Sequence, residues 1–157
     1  MRSFEGAKKV VSMQNIILRA TTLNDIEQIV SLYCEYRENW RSLLDLEDVL
    51  VKYPSICAFS NENLVGFAYC QRFAPDILEV ANIYVRQDIQ SQGIGTQILQ
   101  KIEKEAKDIN YGAVILFNSE AHIDKVYYRS AEGFYIKNDY ELISQTDKTR
   151  IFIKVFK

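Results

Sequence analysis

The residues best suited to chemistry are Gln90-Ser91-Gln92-Gly93-Ile94-Gly95, which join a hydrophobic run to an amphipathic one. The run before them is typical of a strand, and the apolar spacing after them is typical of a helix. The first N–H groups of a helix have no acceptor within it, and the helix dipole adds about half a positive charge there. The two glycines keep side chains away and permit dihedrals that a Cβ resists. The pattern predicts a turn that binds a phosphate, the alternative being an ordinary strand-to-helix turn.

Size and composition indicate a single domain with one core. The chain has 157 residues, of which 48% are hydrophobic and 25% charged, and its formal net charge is −2. A charge so close to zero gives no electrostatic reason to expect nucleic acid as the main partner. No apolar run approaches the roughly 18 residues of a membrane span, and the first residues lack the apolar core of a signal peptide. We therefore expect a cytoplasmic protein that binds neither nucleic acid nor membrane.

The three cysteines are Cys34, Cys57 and Cys70. They form no CxxC pair and have no spacing of a zinc site, so we expect neither a disulfide framework nor a metal. We interpret them as reduced thiols in the core of a protein from a reducing compartment.

The hydrophobic pattern also predicts the elements that position the glycine turn. Residues 1–12 show no periodicity, so we expect a flexible arm or an expression remnant there and a domain at 13–157. The predicted elements of that domain are a strand at 16–20, a helix capped by Thr22 or Asn24, a helix at 43–51, strands at 55–60, 64–73 and 77–85, a helix at 94–108, a strand at 114–117, a helix from about 121 to 131 ending at Gly133, and strands near Tyr135–Lys137 and Arg150–Phe156.

This order of elements, from about Ile16 to Lys157, resembles the GNAT superfamily of acyl-CoA-dependent N-acetyltransferases. The signature of that family, Gln or Arg followed by x-x-Gly-x-Gly or Ala, is similar to Gln90–Gly95. The resemblance implies an α/β (α+β) fold with a mixed, mostly antiparallel sheet of about six to seven strands and about four helices. It also implies direct transfer of an acetyl group from acetyl-CoA to a primary amine of a small molecule, peptide or protein, without a metal. A homodimer through the β-rich carboxyl end stays open.

By the same resemblance, main-chain N–H groups of the turn would hold the diphosphate of coenzyme A while Gln90 braces the turn. Main-chain groups of Ile83 and Val85 would pair with the pantetheine arm, which requires a bulge that splays this strand from the one at 114–117. Asn118 would reach the cofactor arm, or would instead cap a helix. The residues implied in cofactor binding are Ile83, Val85, Gln90, Ser91, Gln92, Gly93, Ile94, Gly95, Thr96 and Asn118.

The resemblance further implies that Glu79 is the general base, eleven residues before Gln90. An amine with an unperturbed pKa of about 10.4 is protonated at neutral pH and must lose a proton before it attacks. Glu79 would remove it directly or through water. Otherwise it is a solvent-facing strand residue or the ion-pair partner of Arg72. A main-chain N–H at Val85 or nearby would polarise the thioester carbonyl.

A tyrosine before a Gly-Phe pair commonly assists the departing thiolate in this family. Tyr128 has four residues between it and Gly133, and Tyr127 has five, whereas the family usually has three. We favour Tyr128 as the acid or hydrogen-bond donor, with Tyr127 as the alternative and packing as the plain explanation for both.

The acceptor site is less defined by the sequence. Aromatic and basic residues of the first two helices either line an acceptor pocket or pack, and nearby acidic residues either attract a cationic amine or form a solvated face. Two other classes stay open, a non-catalytic acyl-CoA sensor and a binder of another phosphate, although no Gly-Lys-Ser/Thr of a P-loop is present. The aromatic and basic residues are Tyr33, Tyr36, Arg37 and Trp40, and the acidic residues are Glu35, Glu38, Asp45, Glu47 and Asp48. We interpret His122 as a surface helix residue rather than a base.

Overall fold

The computed structural model describes residues 15–34, 43–119 and 125–157, with the backbone alone for 43–45 and 125–130. The predicted arm at residues 1–12 lies outside these ranges. Within them are seven strands and four α-helices, the numbers expected. In chain order they are β1 Ile16–Ala20, α1 Ile26–Tyr33, α2 Leu43–Lys52, β2 Ser55–Ser60, β3 Asn63–Ala74, β4 Ile77–Val85, α3 Ile94–Asp108, β5 Ala113–Ser119, α4 Lys125–Lys137, β6 Glu141–Gln145 and β7 Thr149–Val155.

The seven strands form one sheet in the order β1-β2-β3-β4-β5-β7-β6. Strands β4 and β5 run parallel, because α3 crosses over between them, and the other described pairs are antiparallel. This confirms the expected mixed, mostly antiparallel sheet. The central position of β4 and β5 places the turn before α3 at the middle of the sheet.

Helices α3 and α4 cover one face of the sheet. Ile98 and Ile102 of α3 and Tyr135 of α4 pack in one cluster with Leu78 of β4 and Leu116 of β5. All of these side chains are at most 8% exposed. The amphipathic spacing of α3 therefore holds the start of that helix against the strands below it.

Helices α1 and α2 cover the other face. Ile29 of α1 and Leu46 of α2 pack with Phe67 and Tyr69 of β3 and with Tyr84 of β4. Consecutive strand residues point to opposite faces, so β4 contributes to both cores.

The chain enters α1 through a 3₁₀ turn, Leu23–Asp25, that Thr22 caps. Asp25 is 4% exposed and accepts hydrogen bonds from the Thr22 N–H at 2.8 Å and from Arg19 at 2.7 and 2.8 Å. The hydrogen bonds from Arg19 lower the pKa of the Asp25 carboxyl. Of the two predicted caps, Thr22 caps the 3₁₀ turn, whereas the N-cap of α1 itself is Asp25.

The strand predicted at Tyr135–Lys137 is wrong, and so is the predicted helix end at Gly133. Helix α4 continues to Lys137, and the strand that follows is β6. Gly133 stays helical, and the helix ends where Asn138 Nδ2 donates to Phe134 O at 2.8 Å and Asp139 adopts a φ of 69°. The cause is packing, because Tyr135 buries its ring against the sheet one turn beyond Ala131.

All three thiols are free, but their burial differs. Cys57 and Cys70 are buried as predicted, and burial raises the pKa of the Cys57 thiol to about 11 and that of Cys70 well above its usual value. Cys34, at the end of α1, is exposed, so its placement in the core was wrong.

Candidate active site

Strand β4 leaves its parallel neighbour partway along its length. In the described sheet β4 and β5 pair over three positions, the last of which joins Glu79 to Ile115. The other edge of β5 pairs with β7 over the whole length of the strand, from Ala113 to Ser119. Val80 and Asn82 face consecutive residues of β3, so Ala81 between them forms a bulge. Among the described strands, none pairs with the β5-facing edge of β4 after Glu79, so the main-chain groups of this edge are available for the predicted pairing with a pantetheine arm.

The turn after β4 is held by its own residues. Gln90 Nε2 donates a hydrogen bond to Val85 O at 2.7 Å, so Gln90 braces the turn as expected. Ile89 is 2% exposed and anchors the turn in the core. Ser91 and Gly93 have φ values of 68° and 87°, in the left-handed region that costs glycine least. Such a backbone turns successive N–H groups toward one side, as in anion-binding loops.

Helix α3 begins directly after Gly93. Its first intrahelical hydrogen bond runs from Gln97 N–H to Gly93 O at 3.0 Å. The N–H groups of Ile94, Gly95 and Thr96 precede that bond and have no acceptor within the helix. The first turn of this 15-residue helix carries no acidic residue to balance the dipole. The start of α3 is therefore suited to an anion.

Two purposes were predicted for the glycines, the absence of a side chain and a special dihedral, and Gly95 serves only the first. Among the described glycines Gly93 has a positive φ and Gly95 does not. A Cβ on Gly95 would lie 3.1 Å from Cζ of Phe134 in α4, closer than most real contacts. The missing side chain thus admits the Phe134 ring rather than a special dihedral.

A cleft of about 360 Å³ lies between the end of β4, the turn and α4, and it is termed the β4–α4 cleft. It is comparable to the smaller ligand pockets of proteins. Gln92 and Asn118 do not line it. The predicted cofactor residues that do are Ile83, Val85, Gln90, Ser91, Gly93, Ile94, Gly95 and Thr96.

The sequence pattern did not indicate the α4 wall of the cleft, because it predicted a strand over part of this segment. A signal was present in Asn138-Asp139, residue types that favour a helix end and the left-handed conformation. The residues of this wall are Ala131, Gly133, Phe134, Tyr135 and Lys137.

Asn118 is 3% exposed and lies within β5, where it faces Arg150 of β7. It does not precede α4 directly, so the alternative that it caps that helix is wrong. Its predicted contact with the cofactor arm stays a prediction.

Glu79 lies on β4 before the bulge and is half-buried. Its neighbours Leu78 and Val80 belong to the core beneath α3 and α4, so Glu79 projects from the face that α1 and α2 cover. Glu79 Oε1 accepts a hydrogen bond from Gln71 Nε2 at 3.1 Å. Arg72 donates to Ala74 O at 3.4 Å instead, which makes the alternative of an Arg72–Glu79 ion pair wrong.

Tyr127 and Tyr128 lie in the first turns of α4, which is continuous α-helix from Lys125 to Lys137. Their side chains are outside the description, and the choice between them stays a prediction.

Only some of the residues predicted near the acceptor site belong to the described part of the structure. Tyr33 is 8% exposed and packs in the core beneath α1 and α2. Glu47 and Asp48 are exposed, and Asp48 pairs with Lys52 at 3.1 Å, which is typical of a solvated face. Outside the described residues or side chains lie Glu35, Tyr36, Arg37, Glu38, Trp40, Asp45 and His122.

A buried polar network fixes the end of α4 to α3 and β7. Glu103 is 6% exposed and accepts hydrogen bonds from Tyr140 OH and Lys154 Nζ, each at 2.9 Å. Lys154 Nζ also donates to Asn138 O at 3.2 Å. Desolvation raises the pKa of Tyr140 far above its usual value, so its hydroxyl stays a donor. The network holds the C-terminal end of the α4 wall in place.

The described residues contain no cluster of three or more His, Cys, Asp or Glu side chains arranged to hold a metal ion. Among the described helices, none combines the length and the apolar character needed to cross a membrane.

Comparisons with known proteins agree with this geometry. A sequence profile of the acetyltransferase (GNAT) family matches residues 21–135. No curated protein sequence matches the chain. Among solved structures, a PaiA N-acetyltransferase of Thermoplasma acidophilum in complex with coenzyme A has a TM-score of 0.74 at 19% identity, covering 90% of this chain and 99% of that one.

Two further structures have similar folds. A phosphinothricin acetyltransferase of Sinorhizobium meliloti in complex with AcCoA has a TM-score of 0.74 at 18% identity, over 90% of this chain and 88% of that one. Arabidopsis thaliana Naa50, in complex with a bisubstrate analogue, has a TM-score of 0.73 at 15% identity, over 90% and 99%. At these identities the structures show a shared fold. Since the profile spans most of the chain, the protein belongs to the acetyltransferase (GNAT) family and is an acyltransferase that depends on acetyl-CoA.

Proposed function

We propose that this enzyme transfers an acetyl group from acetyl-CoA directly to a primary amine of a small molecule, peptide or protein. The observation that carries the proposal is that a strand edge without a partner among the described strands and the start of a long helix meet in one cleft. The amide groups of the cofactor's arm are complementary to the strand edge, and its diphosphate is complementary to the start of the helix. The proposal includes a cytoplasmic location for the enzyme.

The diphosphate binds at the start of α3. The N–H groups from about Gln92 to Thr96 donate to its oxygens, and the helix dipole favours the negative charge. Gln90 keeps the turn in shape through its bond to Val85 O. If recognition is through the main chain, the backbone conformation of Gly93, whose φ is 87°, is needed more than any side chain of the turn.

The pantetheine arm pairs with the free edge of β4 at Ile83 and Val85. An extended ligand with amide groups adds to such an edge as another strand would. This pairing fixes the thioester, and a main-chain N–H at Val85 or nearby donates to its carbonyl oxygen as negative charge develops there. Acetyl-CoA supplies the activated acyl group.

Glu79 is the base that deprotonates the acceptor amine, directly or through water. The hydrogen bond from Gln71 holds one carboxylate oxygen and leaves the other to accept a proton. Since Glu79 projects from the α1/α2 face, the amine approaches from that side of the sheet.

Tyr128 donates a proton or a hydrogen bond to the departing thiolate, with Tyr127 as the alternative. Tyr128 and Tyr127 precede Ala131, a residue of the cleft wall, by three and four positions. Both spacings place residues on one face of a helix, so the sequence separation supports either tyrosine.

A ligand panel followed by turnover tests the proposal. Acetyl-CoA should raise the melting temperature and ATP should not. Thiol release should then appear with at least one member of a panel of small amines, peptides and protein amino termini. Stabilisation without turnover would favour the acyl-CoA sensor, and no stabilisation would remove the cofactor site.

The base is tested by Glu79→Gln with Glu47→Gln as the control. Glu79→Gln should lower the rate most at neutral pH and less at high pH, where the amine loses its proton unaided. Glu47, exposed on α2, should leave the profile unchanged. An unchanged profile for Glu79→Gln would remove it as the base.

A further inference from the structure

The charge on the walls of the β4–α4 cleft is concentrated in one side chain. Among the described lining residues Lys137 alone carries a formal charge at neutral pH. The turn and the first residues of α3 offer polar N–H groups, and β4 offers apolar side chains with a free main-chain edge. A ligand with several negative charges would therefore meet a single full positive charge here.

Lys137 is exposed and has no ion-pair partner among the described residues. The neighbouring cation before the turn is different, because Arg86 pairs with Asp88 at 2.6 Å. Lys137 is the last residue of α4 and follows Phe134, whose ring contacts the start of α3 at Gly95. Lys137 thus lies on the α4 wall of the cleft, across from the turn and the start of α3 that carry the amide donors, and no described carboxylate pairs with it.

Coenzyme A carries a diphosphate and, on its ribose, a 3′-phosphate. The diphosphate is matched by the N–H groups at the start of α3, which leaves the 3′-phosphate without a positive partner on that wall. Lysine is a common ligand of phosphate as a compact, mobile charge. We propose that Lys137 binds the 3′-phosphate of the cofactor, and this inference rests on the proposed cofactor site. Lys137 is then the residue that gives coenzyme A a higher affinity than dephospho-coenzyme A.

A lysine in the last turn of a helix also balances the helix dipole, and that role needs no ligand. The two roles differ in what they predict. A dipole effect changes the stability of the ligand-free protein and treats all ligands alike. A phosphate contact changes the preference between two ligands that differ in one phosphate.

Calorimetric titration of coenzyme A and of dephospho-coenzyme A tests this. The wild type should bind coenzyme A about 2- to 5-fold more tightly, as expected for one exposed charge pair. Lys137→Gln should bind the two ligands equally, and Lys137→Arg should keep most of the preference. Lys148→Gln, an exposed lysine in the β6–β7 turn, should behave as the wild type. The preference should also shrink as salt rises.

The outcomes separate this inference from the function on which it rests. If Lys137→Gln keeps the wild-type preference, or if the wild type shows none, the inference is overturned while the cofactor site stands. If the wild type binds neither ligand, both fall. The melting temperature of ligand-free Lys137→Gln establishes that the variant is folded.

Discussion

Replacing Lys154 by Met should destabilise the protein strongly, because it leaves a buried carboxylate without its cation. Glu103 and Lys154 have side-chain exposures of 8% and 25%, and their charged atoms lie 2.9 Å apart. Tyr140 would still donate to the other Glu103 oxygen. The carbonyl of Asn138 would lose its bond from Lys154 as well.

The size of the effect follows from this burial. Removing one partner of a buried ion pair costs about 3–5 kcal/mol, and the lower end, about 3 kcal/mol, applies because Lys154 is partly solvated and Tyr140 stays bonded. At about 2–4 °C per kcal/mol for a domain of this size, the melting temperature should fall by about 6–12 °C.

Thermal and denaturant unfolding would measure the loss against a matched exposed pair. Lys104 and Asp108 lie 2.9 Å apart but are 75% and 61% exposed, so Lys104→Met should change stability by less than about 0.5 kcal/mol. Adding Glu103→Gln to Lys154→Met should recover part of the loss, because a neutral amide is less costly to bury and still accepts from Tyr140. The reasoning would be refuted if Lys154→Met lost no more than Lys104→Met, or if Glu103→Gln recovered nothing.

Three other substitutions test the fold around the site. Asp25 has a lowered pKa in the folded protein, so its bond to half-exposed Arg19 stabilises the fold above the ordinary carboxyl pKa, and this stabilisation is lost as pH falls through the folded pKa. Asp25→Asn should therefore cost about 1 kcal/mol at pH 7 and make the free energy of unfolding fall less steeply at acid pH. An unchanged fall at acid pH would contradict this. Gly133→Ala should add about 0.5–1 kcal/mol in denaturant unfolding, since nothing lies within 4 Å of the new methyl group and the residue is mid-helix, whereas a loss would argue against α4 continuing through it. Gly95→Ala should weaken acetyl-CoA binding severalfold in calorimetry, because the new methyl group would push on the Phe134 ring. Adding Phe134→Leu to Gly95→Ala should restore binding. If Gly95→Ala alone binds acetyl-CoA as tightly as the wild type, the contact does not matter for binding.

Local patterns predicted the elements whose signals are contained in their own sequence. Helix α3 and strand β4 have the bounds that were expected, because a continuous apolar stripe and a run bounded by turn residues need no distant partner to be recognised. Strand β6 was missed, since all of its residues are exposed and it shows no alternation between two faces. Its existence depends on pairing with β7, which lies later in the chain.

The cleft likewise depends partly on local sequence and partly on tertiary packing. The residue types of the Gln90–Gly95 turn determined by themselves a glycine turn that opens a helix and leaves its first N–H groups without an intrahelical acceptor, because backbone geometry at a helix end is a local property. Only the tertiary structure decided that β4 splays from β5 after Glu79, that Gly95 makes room for Phe134 and that Lys137 belongs to the cleft. These facts depend on which elements pack together, and packing is set by the summed burial of residues far apart in the chain, which no short segment encodes.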